Sequence, residues 1–309
     1  MSRDAMVHLS KHHGAGNDFL VLVDPAGTRP VSEDEARALC DPHRGVGADG
    51  IARVREGGAE ADLAMDLRNA DGSVAAMSGN GIRCVVQAAL EARLVGPGPV
   101  AVRTGAGMRR VDYREERPGF GYATVEMGGA ELGPELQLEF GPGPELEDRT
   151  AVLRARRVDI GNPHLVLLCG TLDDDLVRGR GARLSASSTG GINVEFVSTT
   201  AAADVLRVRV YERGVGETLA CGTGACAAAA AAHGWGLVGT QVEVLVPGGS
   251  LEVGIDGTSV SLRGPTRKVA EVAVPETTLE ELVHELAAAP GRGPHAAVGH
   301  SAGEMAGRR

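Results

Sequence analysis

Two segments in the first half of the chain recur in the second half in the same order. Residues 16–23 (GNDFLVLV) resemble residues 161–168 (GNPHLVLL), which lie 145 positions further on. Residues 77–84 (MSGNGIRC) resemble residues 220–226 (ACGTGAC), which lie 143 positions further on. Two independent matches at nearly one offset indicate a duplication. We therefore predict two related domains.

Each half of the chain predicts several short strands followed by one helix. The strand-length apolar runs, bounded by Gly, Asp and Asn, are residues 19–23, 50–54 and 61–67 in the first half and residues 193–197 and 205–211 in the second. Residues 85–90 and the alanine-rich residues 227–233 predict helices. We expect an α/β (α+β) fold in which a glycine-rich turn leads into the helix of each half.

The crossing between the halves is predicted near residue 130, in a segment rich in Gly, Pro and Glu. The predicted first domain comprises residues 1–130 and 266–288, and the predicted second domain comprises residues 131–265. Residues 268–274 have the pattern of a strand that returns the chain to the first domain.

The C-terminal segment predicts one further helix and a tail. Thr278 and Glu281 have the spacing of a capping box, which predicts a helix over residues 279–288 that stops before Pro290. Residues 289–309 are rich in Gly and Ala and have no periodicity, so we predict that they are disordered.

Composition excludes several classes of function. The chain has 309 residues, with 31 Lys plus Arg against 41 Asp plus Glu, and a net charge of −10 argues against a nucleic-acid partner. No stretch approaches the roughly 18 apolar residues of a membrane span, so we expect no membrane partner and a cytoplasmic protein. The five cysteines are an odd number without a CxxC pair, which predicts free thiols. A small zwitterionic ligand is the expected partner.

The two glycine-rich turns, residues 78–81 (SGNG) and 221–224 (CGTG), have the features of anion sites. Glycine lets the backbone approach a ligand, and the first turn of a helix has unpaired N–H groups at the positive end of its dipole. Two such turns facing each other would hold one carboxylate. If it belongs to an amino acid, one turn lies on each face of the α-carbon. A group that removes a proton and a group that donates one would then invert the stereocentre without a cofactor.

Other ligand motifs fit less well. Residues 14–16 (GAG) lack the third glycine of a dinucleotide fingerprint, and the chain contains no P-loop sequence. Residues 173–175 (DDD) lack the spacing and the final glutamate of a calcium loop, so no metal site is expected.

Several motifs together resemble the diaminopimelate epimerases, over roughly residues 8–275. They are residues 13–19 (HGAGNDF), 47–50 (GADG), 69–73 (NADGS), 77–84, 161–164 (GNPH), 193–194 and 212–224 (ERGVGETLACGTG). The resemblance implies two pseudo-symmetric domains, each a strongly curved, mostly antiparallel sheet around a central helix, with the active site in the cleft between them. It also implies a cofactor-independent isomerase of lysine and peptidoglycan biosynthesis that interconverts LL- and meso-diaminopimelate. A homodimer is compatible with it, although the sequence does not set the oligomeric state.

The resemblance also implies roles for individual residues. Cys221 occupies a catalytic thiol position, and His164 and Glu212 occupy positions that tune the acid and base. The implied substrate-binding residues are Asn17, Asn69, Gly79, Asn80, Asn162, Asn193, Glu212, Arg213, Gly222 and Thr223. Asn side chains offer donors and acceptors to a zwitterion, and Arg213 offers a bidentate fork to a distal carboxylate.

Ser78 departs from the family, which has its first catalytic cysteine at this position. A hydroxyl is a far weaker acid than a thiol and needs a strong neighbouring base to become an alkoxide. We therefore expect a slower or direction-biased epimerase in which Cys221 is the better base and Ser78 the proton donor. Cys84 lies six residues beyond Ser78 and is expected to be a buried helix residue rather than a replacement thiol.

Two alternatives remain at this point. A related racemase or epimerase of another amino acid would share the paired turns, although Asn80 stands where hydroxyproline epimerases usually carry His. A catalytically impaired amino-acid-binding homologue would explain Ser78, and a serine introduced to trap substrate would give the same sequence.

Overall fold

A computed structural model describes residues 5–136 and 152–288. The strands of the first half are β1 (Met6–Gly14), β2 (Asn17–Val23), β3 (Gly50–Glu56), β4 (Leu63–Asn69), β5 (Val74–Ala75), β6 (Pro99–Thr104), β7 (Gly107–Arg117), β8 (Phe120–Gly129) and β9 (Glu131–Leu136). Those of the second half are β10 (Val152–Asp159), β11 (Pro163–Cys169), β12 (Asn193–Thr199), β13 (Val205–Glu212), β14 (Gly216–Thr218), β15 (Gln241–Val246), β16 (Gly249–Asp256) and β17 (Ser259–Pro275). The helices are α1 (Glu33–Cys40), α2 (Gly79–Glu91), α3 (Gly181–Ala186, preceded by a π-helix, Asp175–Arg180), α4 (Gly222–Gly234) and α5 (Glu276–Ala288).

The strand pairing of the first half recurs in the second. β1 and β2 are antiparallel and β2 and β3 parallel, as are β10 with β11 and β11 with β12. β4 pairs in parallel with β6, and β13 pairs in parallel with β15. The other pairs are antiparallel, which confirms the prediction of an α/β fold with mostly antiparallel strands, and the described strands of both halves are linked in one 17-stranded sheet. The topology therefore repeats the duplication seen in the sequence.

The helices α2 and α4 form the centre of the two halves. Residues 79–89 of α2 and residues 222–232 of α4 are all buried. The alanine run of α4 suits this position, because small side chains let the surrounding strands approach a helix that is covered on all sides. Both predicted helices are confirmed, and both begin directly at the glycine-rich turns. Within the described part of the chain, no helix has the length and apolar character needed to cross a lipid bilayer.

The 17-residue strand β17 joins the two halves. Its first part pairs with β16 and with β8, and its last part, from Arg267 to Pro275, pairs with β1. The predicted strand over residues 268–274 is therefore the end of a longer one. The domain limits at residues 130 and 266 remain a prediction, because β17 passes residue 266 without interruption.

The predicted start of the last helix is wrong. α5 begins at Glu276, directly after β17 ends at Pro275, so Thr278 and Glu281 lie inside the helix rather than at a capping box. The Glu276 N–H donates to the Ala5 carbonyl at 2.8 Å, which ties this junction to the start of β1. The predicted disordered tail, residues 289–309, lies outside the described residues.

The N-termini of α2 and α4 meet face to face at two glycines. A Cβ atom built at Gly222 would lie 3.0 Å from the Gly79 Cα and 2.9 Å from the Leu262 Cδ2, and one built at Gly79 would lie 2.9 Å from the same methyl group. Only residues without a side chain allow this approach. The contact places the two predicted anion sites side by side.

We expect Gly222→Ala to lower the free energy of unfolding by about 1–3 kcal/mol, because the added methyl group must displace Leu262 and the α2 terminus in a packed core. Urea denaturation measures the change. Gly96→Ala is the control, because no heavy atom lies within 4 Å of the Cβ built there. Equal stability of the two variants would contradict the close packing of the helix ends.

Candidate active site

Ser78 and Cys221 are the N-cap residues of α2 and α4. The Ser78 Oγ accepts a hydrogen bond from the Gly81 N–H at 3.0 Å, and the Cys221 Sγ accepts one from the Gly224 N–H at 3.4 Å. Both residues have an extended backbone, so the two turns share one conformation. The structure therefore places the hydroxyl and the thiol at the junction where the helix N-termini meet.

The first turns of α2 and α4 are suited to hold a carboxylate. The leading N–H groups of a helix have no acceptor within the helix, and the dipole makes this end positive. These groups belong to Gly79, Asn80, Gly222 and Thr223, which are all buried at the junction. Their placement agrees with the anion site predicted for the two turns.

Asn80 connects the two halves at this junction. Its Nδ2 donates to the Asn17 Oδ1 and to the Ala220 carbonyl, both at 3.1 Å. The Asn17 Nδ2 in turn donates to the Asp49 Oδ2 at 2.6 Å. Because Ala220 directly precedes Cys221, Asn80 links the first glycine-rich turn to the start of the second.

A buried, hydrogen-bonded histidine and glutamate lie beside the Cys221 turn. The His164 Nδ1 and the Glu195 Oε1 are 2.7 Å apart, and the His164 Nε2 is 3.0 Å from the Asn162 Oδ1. A Cβ atom built at Gly224 would lie 2.8 Å from the Glu195 Oε1 and 3.3 Å from the Cys221 Cβ. Proton-accepting groups therefore surround the thiol.

Glu195 was missed by the sequence analysis. It lies between Val194 and Phe196 in strand β12 and is fully buried, and its Oε2 has no hydrogen-bond partner among the described residues. A single glutamate in a strand of this kind is the signal that should have marked it, because buried carboxylates are rare unless they are paired.

The equivalent place beside Ser78 is apolar. Phe19 and Ala52 occupy the positions in β2 and β3 that correspond to His164 and Glu195 in β11 and β12. A Cβ atom built at Gly81, the counterpart of Gly224, would lie 3.4 Å from ring and methyl carbons of Phe19 and Met65. The duplication thus preserves the backbone of the site, while the side chains behind its two capping residues differ in chemistry.

Hydrogen bonds fix several of the remaining predicted residues. The Glu212 Oε1 accepts from the Thr218 hydroxyl at 2.6 Å, and the Arg213 N–H donates to the Asn193 Oδ1 at 2.9 Å. The Arg213 guanidinium donates to the Gly190 carbonyl at 2.9 Å. Asn69 ends β4, the counterpart of β13, so it corresponds to Glu212 in the repeat.

A cavity of about 360 Å³ opens between the halves on this side. Asn69 and Asp71 line it from the first half, and Gly214 and Val215 line it from the second. The size of this cleft suits a small ligand, and Asn69 is a predicted site residue that lines it.

Burial and nearby charge hold the thiol protonated. Burial raises the pKa of Cys221 well above its ordinary value of 9.0, and the charges of Glu212 and Glu195 raise it further, while the hydrogen bonds from Thr223 and Gly224 oppose the shift. Burial also raises the pKa of the Glu212 carboxyl, and the Glu195 charge adds to this effect. Cys221 therefore needs a neighbouring acceptor, or a bound cation, to become a thiolate.

The other four cysteines, Cys40, Cys84, Cys169 and Cys226, are free and buried, as is Cys221. Cys84 lies within α2 and is fully buried, in agreement with its predicted place in the core. No group of three or more His, Cys, Asp and Glu side chains suited to a metal ion occurs in residues 5–136 and 152–288.

Solved structures share this fold. A hydroxyproline epimerase from Agrobacterium vitis aligns with a TM-score of 0.68 at 17% identity, over 89% of this chain and 94% of that one. A phenazine biosynthesis protein of the PhzF family from Bacillus anthracis aligns with a TM-score of 0.66 at 15% identity, over 87% of this chain and 99% of that one. The chain therefore shares the α/β fold of these two proteins.

Sequence comparison identifies the family of this chain. A family model described as diaminopimelate epimerase matches residues 9–133 and 156–269. Diaminopimelate epimerases from Acidothermus cellulolyticus and Thermobifida fusca are 37% and 39% identical, covering 88% and 86% of this chain and 97% of each relative. The chain belongs to the diaminopimelate epimerase family, as its motifs indicated.

The charges of Glu212 and Glu195 generate a prediction for the Cys221 thiol. We expect Glu212→Gln to move the midpoint of Cys221 alkylation by iodoacetamide down by about one pH unit, because a negative charge that disfavours the thiolate is removed. Mass spectrometry of the Cys221 peptide after alkylation at a series of pH values measures the midpoint.

Glu217→Gln serves as the matched control for this measurement. Glu217 lies on the next strand, β14, and pairs with Arg209 and Arg178. The control should leave the midpoint where it is in the wild type. A midpoint that also stays in place in Glu212→Gln would show that Glu212 does not act on the thiol.

Proposed function

We propose that the protein interconverts LL- and meso-diaminopimelate by proton transfer at one α-carbon, without a cofactor. The observation that carries this proposal is the meeting of two helix N-termini with Cys221 and Ser78 as their caps, in a chain of the diaminopimelate epimerase family. A carboxylate held between the helix ends would present the two faces of its α-carbon to the thiol and the hydroxyl.

The first half of the reaction is assigned to Cys221. The α-ammonium of the substrate brings a positive charge to the thiol and favours its ionisation. The thiol proton passes to Glu212 or to the His164–Glu195 pair, which releases it to solvent before the next turnover. The thiolate then takes the α-proton and becomes a thiol again. The helix ends stabilise the charge that develops on the carboxylate as the α-carbon becomes a carbanion.

The second half is assigned to Ser78. Its hydroxyl gives a proton to the opposite face of the carbanion, and the resulting alkoxide recovers one from solvent. The Gly81 N–H supports the oxygen as charge develops on it, but the surrounding Phe19 and Met65 side chains offer no base. Ser78 is therefore suited to donate a proton and poorly suited to take one from carbon.

The distal amino-acid group of the substrate would occupy the cleft beside the junction. Asn69, Asn193 and the Arg213 guanidinium are the proposed contacts, because they combine amide donors and acceptors with a fork that fits a carboxylate. We further propose that the protein acts in the cytoplasm on lysine and peptidoglycan precursors, and that a homodimer is compatible with this role.

The difference between Cys221 and Ser78 predicts different rates of deuterium exchange and of inversion. A catalyst cannot change the equilibrium between the two isomers. The difference between Cys221 and Ser78 must therefore appear in how fast each of them returns a proton to the carbanion. For the isomer whose α-hydrogen faces Cys221, we expect deuterium from D₂O to enter the substrate faster than the centre inverts, because the exchanging thiol returns a deuteron before Ser78 donates one. Proton NMR of each isomer in D₂O measures both rates.

Cys221→Ala should abolish both exchange and inversion in this assay. Exchange that matches inversion for both isomers would contradict the assignment of Ser78 as the weaker partner. Binding without exchange would support the alternative of an amino-acid-binding homologue. Exchange of another amino acid, with none of diaminopimelate, would support a racemase of different specificity.

Ser78→Cys supplies a second prediction. We expect this variant to epimerise diaminopimelate at least about tenfold faster than the wild type, because a thiol is a far stronger acid than a hydroxyl. Its activity should also fall after mild oxidation, since facing thiols can form a disulfide, whereas the wild-type activity should persist. Activity assays before and after oxidant, with recovery by a reducing agent, measure both effects. Equal sensitivity of the two proteins would contradict the facing placement of residues 78 and 221.

A further inference from the structure

Arg83 is a fully buried arginine behind the helix junction. It lies in the second turn of α2 and forms no ion pair with any residue that the structure describes. Its guanidinium donates instead to the Gly79 carbonyl at 2.9 Å, to the Asn80 Oδ1 at 2.8 Å and to the Pro265 carbonyl at 3.3 Å. Among the described residues, the hydrogen-bond acceptors of this positive charge are all neutral oxygens, and the Cys84 and Cys226 thiols lie nearby.

The fold leaves space for this side chain on two neighbouring strands. A Cβ atom built at Gly14 would lie 2.7 Å from the Arg83 Nη2, and one built at Gly264 would lie 3.0 Å from the Arg83 Cζ. Glycine in both β1 and β17 is therefore needed for the guanidinium to fit. The two glycines thus leave a space in the core that fits the guanidinium.

The repeat shows that the fold itself does not need a charge at this position. Cys226 in α4 corresponds to Arg83 in α2, as the offset of 143 between Ser78 and Cys221 requires, and it is also fully buried. A small, uncharged side chain thus serves the same helix position in the second half. Burying a charge without an ionic partner is unfavourable, so the arginine is expected to have a role that packing does not explain.

The hydrogen bonds of Arg83 determine how the Asn80 amide is oriented. A guanidinium can only donate, so the Asn80 oxygen must face it. The Asn80 Nδ2 is then directed to the Asn17 Oδ1 and the Ala220 carbonyl. Through Asn80, Arg83 acts on the residue that precedes Cys221.

We propose that Arg83 is a positioning residue that orients Asn80 and supplies the buried counter-charge for the reacting carboxylate of the substrate. A helix N-terminus contributes only about half a positive charge, and Arg83 adds a full one behind the terminus of α2. The bound carboxylate completes an ion pair that the free protein lacks. This inference rests on the proposed function, because it assumes that the substrate carboxylate binds at the junction.

Two substitutions separate the roles of charge and orientation. Arg83→Met removes the charge with little change in length, and Arg83→Lys keeps the charge but loses the planar fork. We expect Arg83→Met to weaken diaminopimelate binding at least about 30-fold in isothermal titration calorimetry, and Arg83→Lys to weaken it less than about fivefold. Both variants should lose the distinct, slowly exchanging Asn80 side-chain amide signal in nitrogen-15 NMR, because neither holds the amide in one orientation.

Cys169→Ala is the control, because Cys169 is a buried cysteine in a separate core cluster, and it should leave both the binding and the Asn80 signal unchanged. A folded Arg83→Met protein with wild-type affinity and an unchanged Asn80 signal would overturn the inference. If Arg83→Met does not fold, Arg83→Lys alone tests the inference. An unchanged Asn80 signal in Arg83→Lys would overturn the orienting role. A loss of affinity above about 30-fold in Arg83→Lys would overturn the role of charge.

The two readouts distinguish this inference from the proposed function. If the wild-type protein does not bind diaminopimelate, the proposed function fails and the counter-charge role fails with it. The Asn80 signal still tests the orienting role in that case, because it is recorded on the protein without substrate.

Discussion

The contact between the N-termini of α2 and α4 is the constraint on which the rest of the structure depends. Gly79 and Gly222 allow it, because a side chain at either position would strike Leu262 and separate the helix ends. Two positive helix ends in contact are unfavourable for one another and favourable for an anion placed between them. The buried helices, the closely wrapped strands and the long β17 all hold this contact in place. A carboxylate is therefore the ligand that we propose for this junction.

The two halves share one arrangement of strands and helices, which forms a symmetric frame. The side chains at matched positions of this frame differ, and these differences determine the chemistry of the site. Matched positions hold Phe19 and His164, Ala52 and Glu195, Asn69 and Glu212, and Arg83 and Cys226. The second half carries the acids and bases, while the first half carries the buried positive charge and an apolar setting for Ser78. Stereoinversion needs one group that accepts a proton and another that donates it. A frame with repeated strand pairing and unlike side chains fits the reaction that we propose.

Much of this arrangement could be predicted from the sequence, because the residues that form it lie in short continuous segments. The repeat located the two turns, the turns located the helices, and the family motifs located Asn17, Asn80 and Cys221. The pairing of β17 with three other strands could not be predicted, since strand partners far apart in sequence leave no local pattern. The same holds for Glu195 and Arg83, whose roles depend on contacts with His164 and Asn80 across the fold. The predicted start of α5 was wrong. The prediction relied on a local capping pattern at Thr278, whereas the helix begins directly after β17 ends at Pro275.

The exchange of sulfur for oxygen at residue 78 is compatible with this frame for a physical reason. As an N-cap, the Ser78 oxygen accepts the Gly81 N–H at 3.0 Å, a closer contact than the 3.4 Å of the Cys221 sulfur. That hydrogen bond uses an oxygen lone pair and leaves the hydroxyl proton free to be donated. A proton donor needs only to part with a proton when a carbanion forms, whereas a proton acceptor must first be ionised. Oxygen is therefore tolerable in the half without a neighbouring base, and sulfur is retained in the half where Glu195 and Glu212 lie close by.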